Sequence, residues 1–432
     1  MATMEISASA ELRSQVEAAA AAAPSLALAT REQKDAFLFA AARLLRARCA
    51  EIVAANSEDV ADARGHLSDA MIDRLRLTPN RVEALAGATE QLAKLDDPVG
   101  EVIDVNVSGD GLRIERVRVP LGVIASVYES RPNVTIDIGA ICLKSGNACV
   151  LRGGREARRS NGLLAEILQD ALAEAGLPPD AAQLVRSPDR ALVGELLAMN
   201  DLIDLIVPRG GKALIERVRD EASMPVVAGG IGICHTYVDA AADLEMALEV
   251  VDNAKTRRVS ICNALDVLLV HEGVAGTFLP QLANRWSSAS RADGGVELRA
   301  DDNALALLAG SPARTVPASD EDFDTEFLSM TAAVRIVSDA DDALAHIAEH
   351  GSGHSEAILT TNAALAERFL REVDAAAVYV NASTQFTDGG EFGLGAEVGI
   401  STGKIHARGP MGLRELTSYK WVVRGDGHVR PR

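Results

Sequence analysis

The run Leu-Gly-Val-Ile-Ala-Ser-Val at Leu121–Val127 reads as a compact buried strand, and the segments after it decide the fold. Ala148–Leu151 is a second short apolar strand. Arg155–Ala175 then carries apolar residues at helical spacing and stops at Gly176-Leu177-Pro178-Pro179, where glycine and proline end a helix. Leu184 and Val185 read as strand, Arg190–Met199 as helix, Ile203–Val207 as strand, Gly211–Arg219 as helix and Pro225–Val227 as strand. This alternation predicts a parallel sheet with helices on both faces, an α/β architecture. It begins again near Tyr237. Leu244–Ala254, Gly273–Ser287, Asp341–His350 and Ala364–Val373 read as helices, and Val267–Val270, Val334–Val337, Ala357–Leu359 and Ala377–Val380 as strands.

Outward from these segments the character changes. From about Ala10 to Asp97 the chain reads as helical, with Leu38, Ala41, Leu44 and Leu45 at helical spacing and Thr78-Pro79-Asn80 as a start signal. Val102–Val119 alternates on either side of Ser108-Gly109-Asp110-Gly111, where Asp-Gly suits the positive φ of a tight hairpin turn. The tail, Leu416–Val429, reads as strand and hairpin turning at Gly425-Asp426-Gly427. These two pieces predict one sheet shared between subunits. Phe386–Gly412 is glycine-rich and irregular.

The chain has 432 residues, enough for two or three domains of roughly 100–200 residues each. Lys and Arg total 43 against 62 Asp and Glu, a formal charge of −19. Such acidity argues against a broad nucleic-acid grip, which needs clustered cations, but leaves room for a local anion pocket. No apolar run approaches the ~20 residues of a membrane span. Met1–Pro24 holds an alanine tract but also Glu5, Glu11, Arg13 and Glu17, and lacks the regions of a signal peptide. The five cysteines are scattered without Cys-x-x-Cys spacing, which predicts thiols in a reducing cytoplasm and no zinc site.

Several residues carry possible chemistry. Cys262 follows a helix and the basic stretch Lys255–Arg258; nearby cations favour a reactive thiolate, and the alternative is a buried, inert cysteine. Asn133, in Arg131-Pro132-Asn133 after the Leu121 strand, is either an oxyanion donor or an ordinary turn residue. Lys144 and Arg152-Gly153-Gly154, with Arg155, Arg158 and Arg159, concentrate positive charge as a phosphate pocket or a solvated helix turn. Val207-Pro208-Arg209-Gly210-Gly211 is a strand, a glycine turn and a helix start, a geometry that lets phosphate reach backbone amides, though G-x-G-x-x-G is absent there. His235 and His354 read as structural, hydrogen-bonded histidines.

Taken together these stretches resemble the gamma-glutamyl phosphate reductases, of the aldehyde dehydrogenase-like superfamily, from about Leu26 to Arg430. The resemblance rests on Val119–Ile124, Arg131–Thr135, Leu143–Ala148, Leu151–Gly154, Pro208–Gly211, Asn253–Thr256 with Cys262–Ala264, Gly351–Ile358 and, most specific, His406–Leu413. It implies an aldehyde dehydrogenase-like fold of two Rossmann-like three-layer domains plus a small oligomerisation hairpin. Residues 1–102 and 120–236 then form an NADPH-binding domain, 237–414 a catalytic domain, and 103–119 with 415–432 the oligomerisation strands. It also implies NADPH-dependent reduction of L-glutamyl 5-phosphate to L-glutamate 5-semialdehyde, in proline synthesis. Cys262 matches the nucleophile and Asn133 the oxyanion donor. Lys144, Arg152, Gly153, Pro208, Gly210, Gly211 and Glu326 fall at cofactor positions, and Arg131, Asn381, Ser383 and Thr384 at the substrate end. A homo-oligomer, a dimer or a tetramer, and transient contact with glutamate 5-kinase are implied, with neither nucleic acid nor membrane as partner.

Three departures stand out. Hydrolytic aldehyde dehydrogenases carry a Glu in E-L-G-G to activate water; Ala228-Gly229-Gly230 offers no carboxylate there, which suits exchange with phosphate. Gln385 stands where many family members have Arg after Ala-Ser-Thr, so another cation must serve if that Arg binds an acidic group. Val259 replaces a frequent Pro. The alternatives are an NAD(P)-dependent dehydrogenase of another small aldehyde, against which the missing Glu and the His406–Leu413 motif count, and a non-catalytic NADP-binding scaffold, against which Cys262 and Asn133 count.

Overall fold

The computed structural model describes residues 8–227, 229, 231–291 and 294–430. It divides into two compact units: Met1–Ala228 with Gly393–Gly399 and Met411–Arg432, and Gly229–Phe392 with Ile400–Pro410.

The first unit opens on helices α1 (Ala8–Ala27), α2 (Arg31–Ala47), α3 (Cys49–Ala63), α4 (Asp69–Leu75) and α5 (Pro79–Lys94). Thr30 and Gln33 form a capping box at α2, and Thr78 caps α5 with Pro79 in its first turn. Strands β1 (Val102–Val107) and β2 (Arg113–Pro120) are the expected hairpin; Gly111, at φ +93°, donates its N–H to Ser108 O in the turn. The tail differs from its reading. It is one strand, Thr417–Arg424, paired antiparallel with β2 along its whole length in the same chain. Gly425–Gly427 turns without starting a second strand, the tail strand stays at the edge of the sheet, and His428 Nε2 ends 2.7 Å from Asp110 O.

The sheet of this unit holds β3 (Val123–Tyr128), β4 (Ala148–Arg152), β5 (Ala182–Leu184) and β6 (Leu205–Arg209) in the order β5-β4-β3-β6, all parallel. All six residues of β3 are buried, as in a sheet covered on both faces. Between the strands run α6 (Asn133–Lys144), α7 (Arg158–Glu174) and α8 (Ala191–Leu197), and α9 (Lys212–Glu221) follows β6. The expected strand at Pro225–Val227 is reduced to a single bridge between Val226 and Ile206, since Pro225 has no N–H to extend a ladder.

In the second unit seven strands form one parallel sheet, in the order β10-β9-β11-β8-β7-β12-β13. They are β7 (Cys234–Val238), β8 (Leu265–His271), β9 (Glu297–Ala300), β10 (Arg314–Pro317), β11 (Thr331–Val337), β12 (Ser355–Leu359) and β13 (Ala377–Val380). Helix α10 (Leu244–Thr256) leads into β8 and α11 (Glu272–Arg285) leaves it. Successive side chains alternate between two cores: Val238, Leu268 and Val270 meet Phe278 and Trp286, while Tyr237, Val267 and Leu269 meet Phe369. Among the described residues no helix is long and apolar enough to cross a membrane.

Candidate active site

In the second unit α10 ends at Thr256 and β8 begins at Leu265, and the turns between them carry Cys262. Ala264 N–H donates to Ile261 O at 3.2 Å, so Cys262 and Asn263 are the centre of a closed turn. Cys262 is half-buried. Its carbonyl accepts from Cys234 Sγ at 3.3 Å, and burial holds the Cys234 thiol far above its ordinary pKa, so it stays a donor. Gly232 packs directly on the same carbonyl: a Cβ there would overlap the Cys262 oxygen and lie 2.6 Å from its carbon.

The far side of the turn is held by Asn263. Its Nδ2 donates to Gln385 O and Thr387 O, at 3.3 and 2.9 Å, and Thr384 Oγ1 donates to its carbonyl at 2.7 Å. Thr387 is itself hydrogen-bonded to Ser355 and Tyr379. Three residues expected at the substrate end are thus placed as follows. Thr384 is fully buried and braces the nucleophile turn. Ser383 is buried, and its Oγ accepts from Gln385 N–H at 3.3 Å. Asn381, at φ +56°, exchanges two 2.9 Å hydrogen bonds with the Thr360 backbone. His235 and His354 are buried and bonded to Glu356 and Ser355.

Of the basic stretch before Cys262, Lys255 faces inward. It is fully buried, and its Nζ donates to Leu265 O at 2.8 Å and pairs with Asp266 at 3.3 Å. Burial pulls Lys255 down and pushes Asp266 up, while each stabilises the other's charge. Its ammonium therefore does not serve the thiol. Glu326 accepts the Gly232 N–H and so touches the residue that shapes the Cys262 turn; burial raises its carboxyl.

In the first unit the carboxyl ends of β3, β4 and β6 gather most of the expected cofactor residues, as in other sheets where ligands bind beyond strand ends. Arg152 ends β4, and its buried Nε has no protein partner. Burial lowers its pKa, and the Arg190 and Arg217 guanidiniums add to this against Glu156 and Asp189. Gly153 leaves room that a side chain would take from Asn161 and Tyr128, the latter at 2.9 Å. Pro208 lies within β6, paired with Val127, and Gly210 and Gly211 lead into α9. A Cβ on Gly210 would sit 2.5 Å from Glu129 Oε2, which accepts the Gly211 N–H at 2.9 Å. Asn133 opens α6 and donates to Asp137 at 2.8 Å. Before it, Ser130 is held at φ +38° by two hydrogen bonds to Glu156, and Arg131 accepts the Val134 N–H. Strain of this kind persists only where the surroundings enforce it.

Lys144 does not join this group. It lies in the last turn of α6, fully buried, paired with Asp35 and 3.4 Å from Ala93 O. Arg159 is likewise engaged, with Glu58, Asp59 and Asp62 on α3. The expected cation cluster is therefore divided, and Arg190 and Arg217, which the sequence did not point to, stand by Arg152 instead. Of the stretch Ala228-Gly229-Gly230, Ala228 and Gly230 lie outside the described residues; Gly229 packs on the Ile400 carbonyl.

Comparison with known proteins shows the family. The aldehyde dehydrogenase family model matches residues 1–301. The gamma-glutamyl phosphate reductase of Roseiflexus castenholzii is 54% identical over 418 residues, 95% of this chain and 97% of that protein. That of Escherichia fergusonii is 53% identical over 414 residues, 96% and 98% of the two chains. The crystal structure of gamma-glutamyl phosphate reductase from Thermotoga maritima is similar at a TM-score of 0.94 and 45% identity, covering 98% of this chain and all of that one.

Proposed function

The chain belongs to the gamma-glutamyl phosphate reductases within the aldehyde dehydrogenase family, and on that premise we propose that it reduces L-glutamyl 5-phosphate with NADPH to L-glutamate 5-semialdehyde and phosphate, the second step of proline synthesis from glutamate. The observation that carries the reading is the Cys262 turn, braced from one side by Cys234 and Gly232 and from the other by Asn263 and Thr384. A nucleophile needs this fixity, because small misplacements of reacting atoms are costly.

In this mechanism the Cys262 thiolate attacks the acyl carbon, the carbon–oxygen bond to phosphate breaks, and phosphate leaves a thioester on Sγ. A reduced nicotinamide, when held at the strand ends of the first unit, would supply the hydride that reduces the thioester. The thiohemiacetal then collapses, returning the electron pair to sulfur and releasing the aldehyde. Asn133 is assigned to the oxyanion by the resemblance, with the Cys262 amide. No carboxylate stands at Ala228-Gly229-Gly230 to activate water, so the thioester survives until hydride reaches it. Ser383 and Thr384 act here as positioning residues, and Arg131 and Asn381 keep the substrate end.

The strand ends of the first unit fit a nicotinamide dinucleotide. The orphaned Arg152 Nε and the side-chain-free Gly153 are the observations that favour it. Arg152, with Arg190 and Arg217, would hold the phosphate that distinguishes NADPH, the Pro208–Gly211 turn the pyrophosphate, and Glu326 the nicotinamide ribose. Lys144 is left out, because its ammonium is committed to Asp35. We assign the NADPH-binding, catalytic and oligomerisation roles to residues 1–102 with 120–236, 237–414, and 103–119 with 415–432. Assembly would use the three-stranded sheet, whose tail strand exposes Tyr419, Trp421 and Val423. Work in the cytoplasm, with transient contact to glutamate 5-kinase, completes the reading.

The test is oxidation of glutamate 5-semialdehyde by NADP+ with phosphate present, against NAD+ and against propionaldehyde. NADP+ and the semialdehyde are expected to be preferred. Arg152→Ala should raise KM for NADP+ by about 10–100-fold, the loss of a charge-assisted hydrogen bond, with little change for NAD+. Preference for propionaldehyde would favour a general aldehyde dehydrogenase, and equal losses with both cofactors would remove Arg152 from the phosphate.

A further inference from the structure

We infer that Arg257, oriented by Gln385, binds the phosphoryl group of the substrate; the inference rests on the function proposed above. Gln385 is buried, 4% exposed, and grips the loop that carries the nucleophile. Its Nε2 donates to Ala254 O at 2.6 Å and Arg258 O at 3.3 Å, and its own carbonyl accepts from Asn263. Two carbonyl acceptors fix which end of the amide is nitrogen, so the oxygen must face Arg257, whose Nε donates to it at 2.8 Å. The side chain of Gln385 thus holds the start of the loop at Arg257 and Arg258, and its backbone carbonyl holds the end at Asn263, with Cys262 between.

That single bond uses one of the five donors of Arg257. Among the described residues its two terminal nitrogens have no protein acceptor, although Arg257 is exposed in a chain of 62 acidic residues. Other arginines of this unit are spent on carboxylates: Arg285 on Glu249 and Asp252, Arg299 on Asp322, Arg335 on Asp342 and Arg368 on Glu372. A neutral amide orients Arg257 without cancelling its charge, which a carboxylate in the same place would do. The open fork matches a tetrahedral oxyanion, and Arg258 adds a second exposed cation beside it. The phosphoryl group is joined to the attacked carbon through one oxygen, whereas the α-carboxylate lies at the opposite end of the substrate. A cation borne on the nucleophile's own loop belongs to the former. The arginine missing at position 385 is thereby supplied from across the hydrogen bond.

The test runs the reaction from semialdehyde and NADP+ with inorganic phosphate varied. Arg257→Gln is expected to raise KM for phosphate tenfold or more while KM for semialdehyde and NADP+ stay within about twofold; Arg257→Lys, which keeps the charge, should retain part of the affinity. Gln385→Arg alone sets two guanidiniums together and should also weaken phosphate. The exchanged pair R257Q/Q385R restores one amide and one cation and should recover most of the loss, the pattern of a coupled pair. An unchanged KM for phosphate in Arg257→Gln, a rise in the semialdehyde KM instead, or an exchanged pair no better than the single variants would each overturn the assignment. A wild-type rate indifferent to phosphate would instead overturn the function on which it rests.

Discussion

Replacing Cys262 by Ala should lower turnover by on the order of 10⁴-fold or more while leaving NADPH affinity within about twofold. The size follows from the chemistry: without Sγ there is no thioester, and the remaining groups can only polarise an acyl phosphate that water must then attack. Cys262→Ser should be nearly as inert, because a neutral hydroxyl is a far weaker nucleophile than a thiolate. Binding should persist because the residues assigned to the dinucleotide's phosphates are on the first unit. Stopped-flow NADPH binding beside steady-state turnover separates the two effects; turnover within tenfold of wild type would remove Cys262 as nucleophile.

The second large effect is expected at a residue with no side chain. Gly232→Ala puts a methyl group into the Cys262 carbonyl, 2.6 Å from its carbon and 3.0 Å from its Cα. All three neighbours are backbone, so a rotamer change cannot relieve the overlap, and the turn must move by about an ångström. Displacement on that scale costs roughly 10²-fold in rate. Overpacking should also cost about 1–3 kcal/mol in stability, read as a lower Tm. Gly276→Ala in α11, where a Cβ meets nothing within 4 Å, is the control and should leave rate unchanged and stability equal or slightly higher. Wild-type turnover in Gly232→Ala would show that the turn tolerates movement.

The central strands β3, β4 and β6 were legible because a strand buried on both faces is written as an unbroken apolar run. Helix α6 was not, for the opposite reason: ten of its twelve residues are buried, so no polar stripe marks the helical period. β9 and β10 are four residues each and charged, with Glu297 held between Arg299 and Arg314, a composition that resembles a loop. In the site, local motifs left Cys262, Asn133 and Arg152 each with a functional and a structural reading, and only the resemblance of the stretches taken together assigned them roles. Lys144 was misread because closeness in sequence does not say which end of a strand a residue occupies. The five residues of β4 put about 16 Å between its ends, with Lys144 before it and Arg152 at its far end. Arg190 and Arg217 reach Arg152 from separate segments, so only the folded chain assembles the three. The same holds for Gln385, which in sequence is an absent arginine and in the fold is the clamp on Arg257.

On the proposed mechanism the Cys262 thioester is exchanged with phosphate and not with water. The most direct measurement is pre-steady-state oxidation of glutamate 5-semialdehyde by NADP+ in phosphate-free buffer. A burst of one reduced nicotinamide per chain is predicted, then a stalled acyl-enzyme that turns over again when phosphate is added. Continuous NADPH formation without phosphate, at the rate seen with it, would mean that water takes the acyl group.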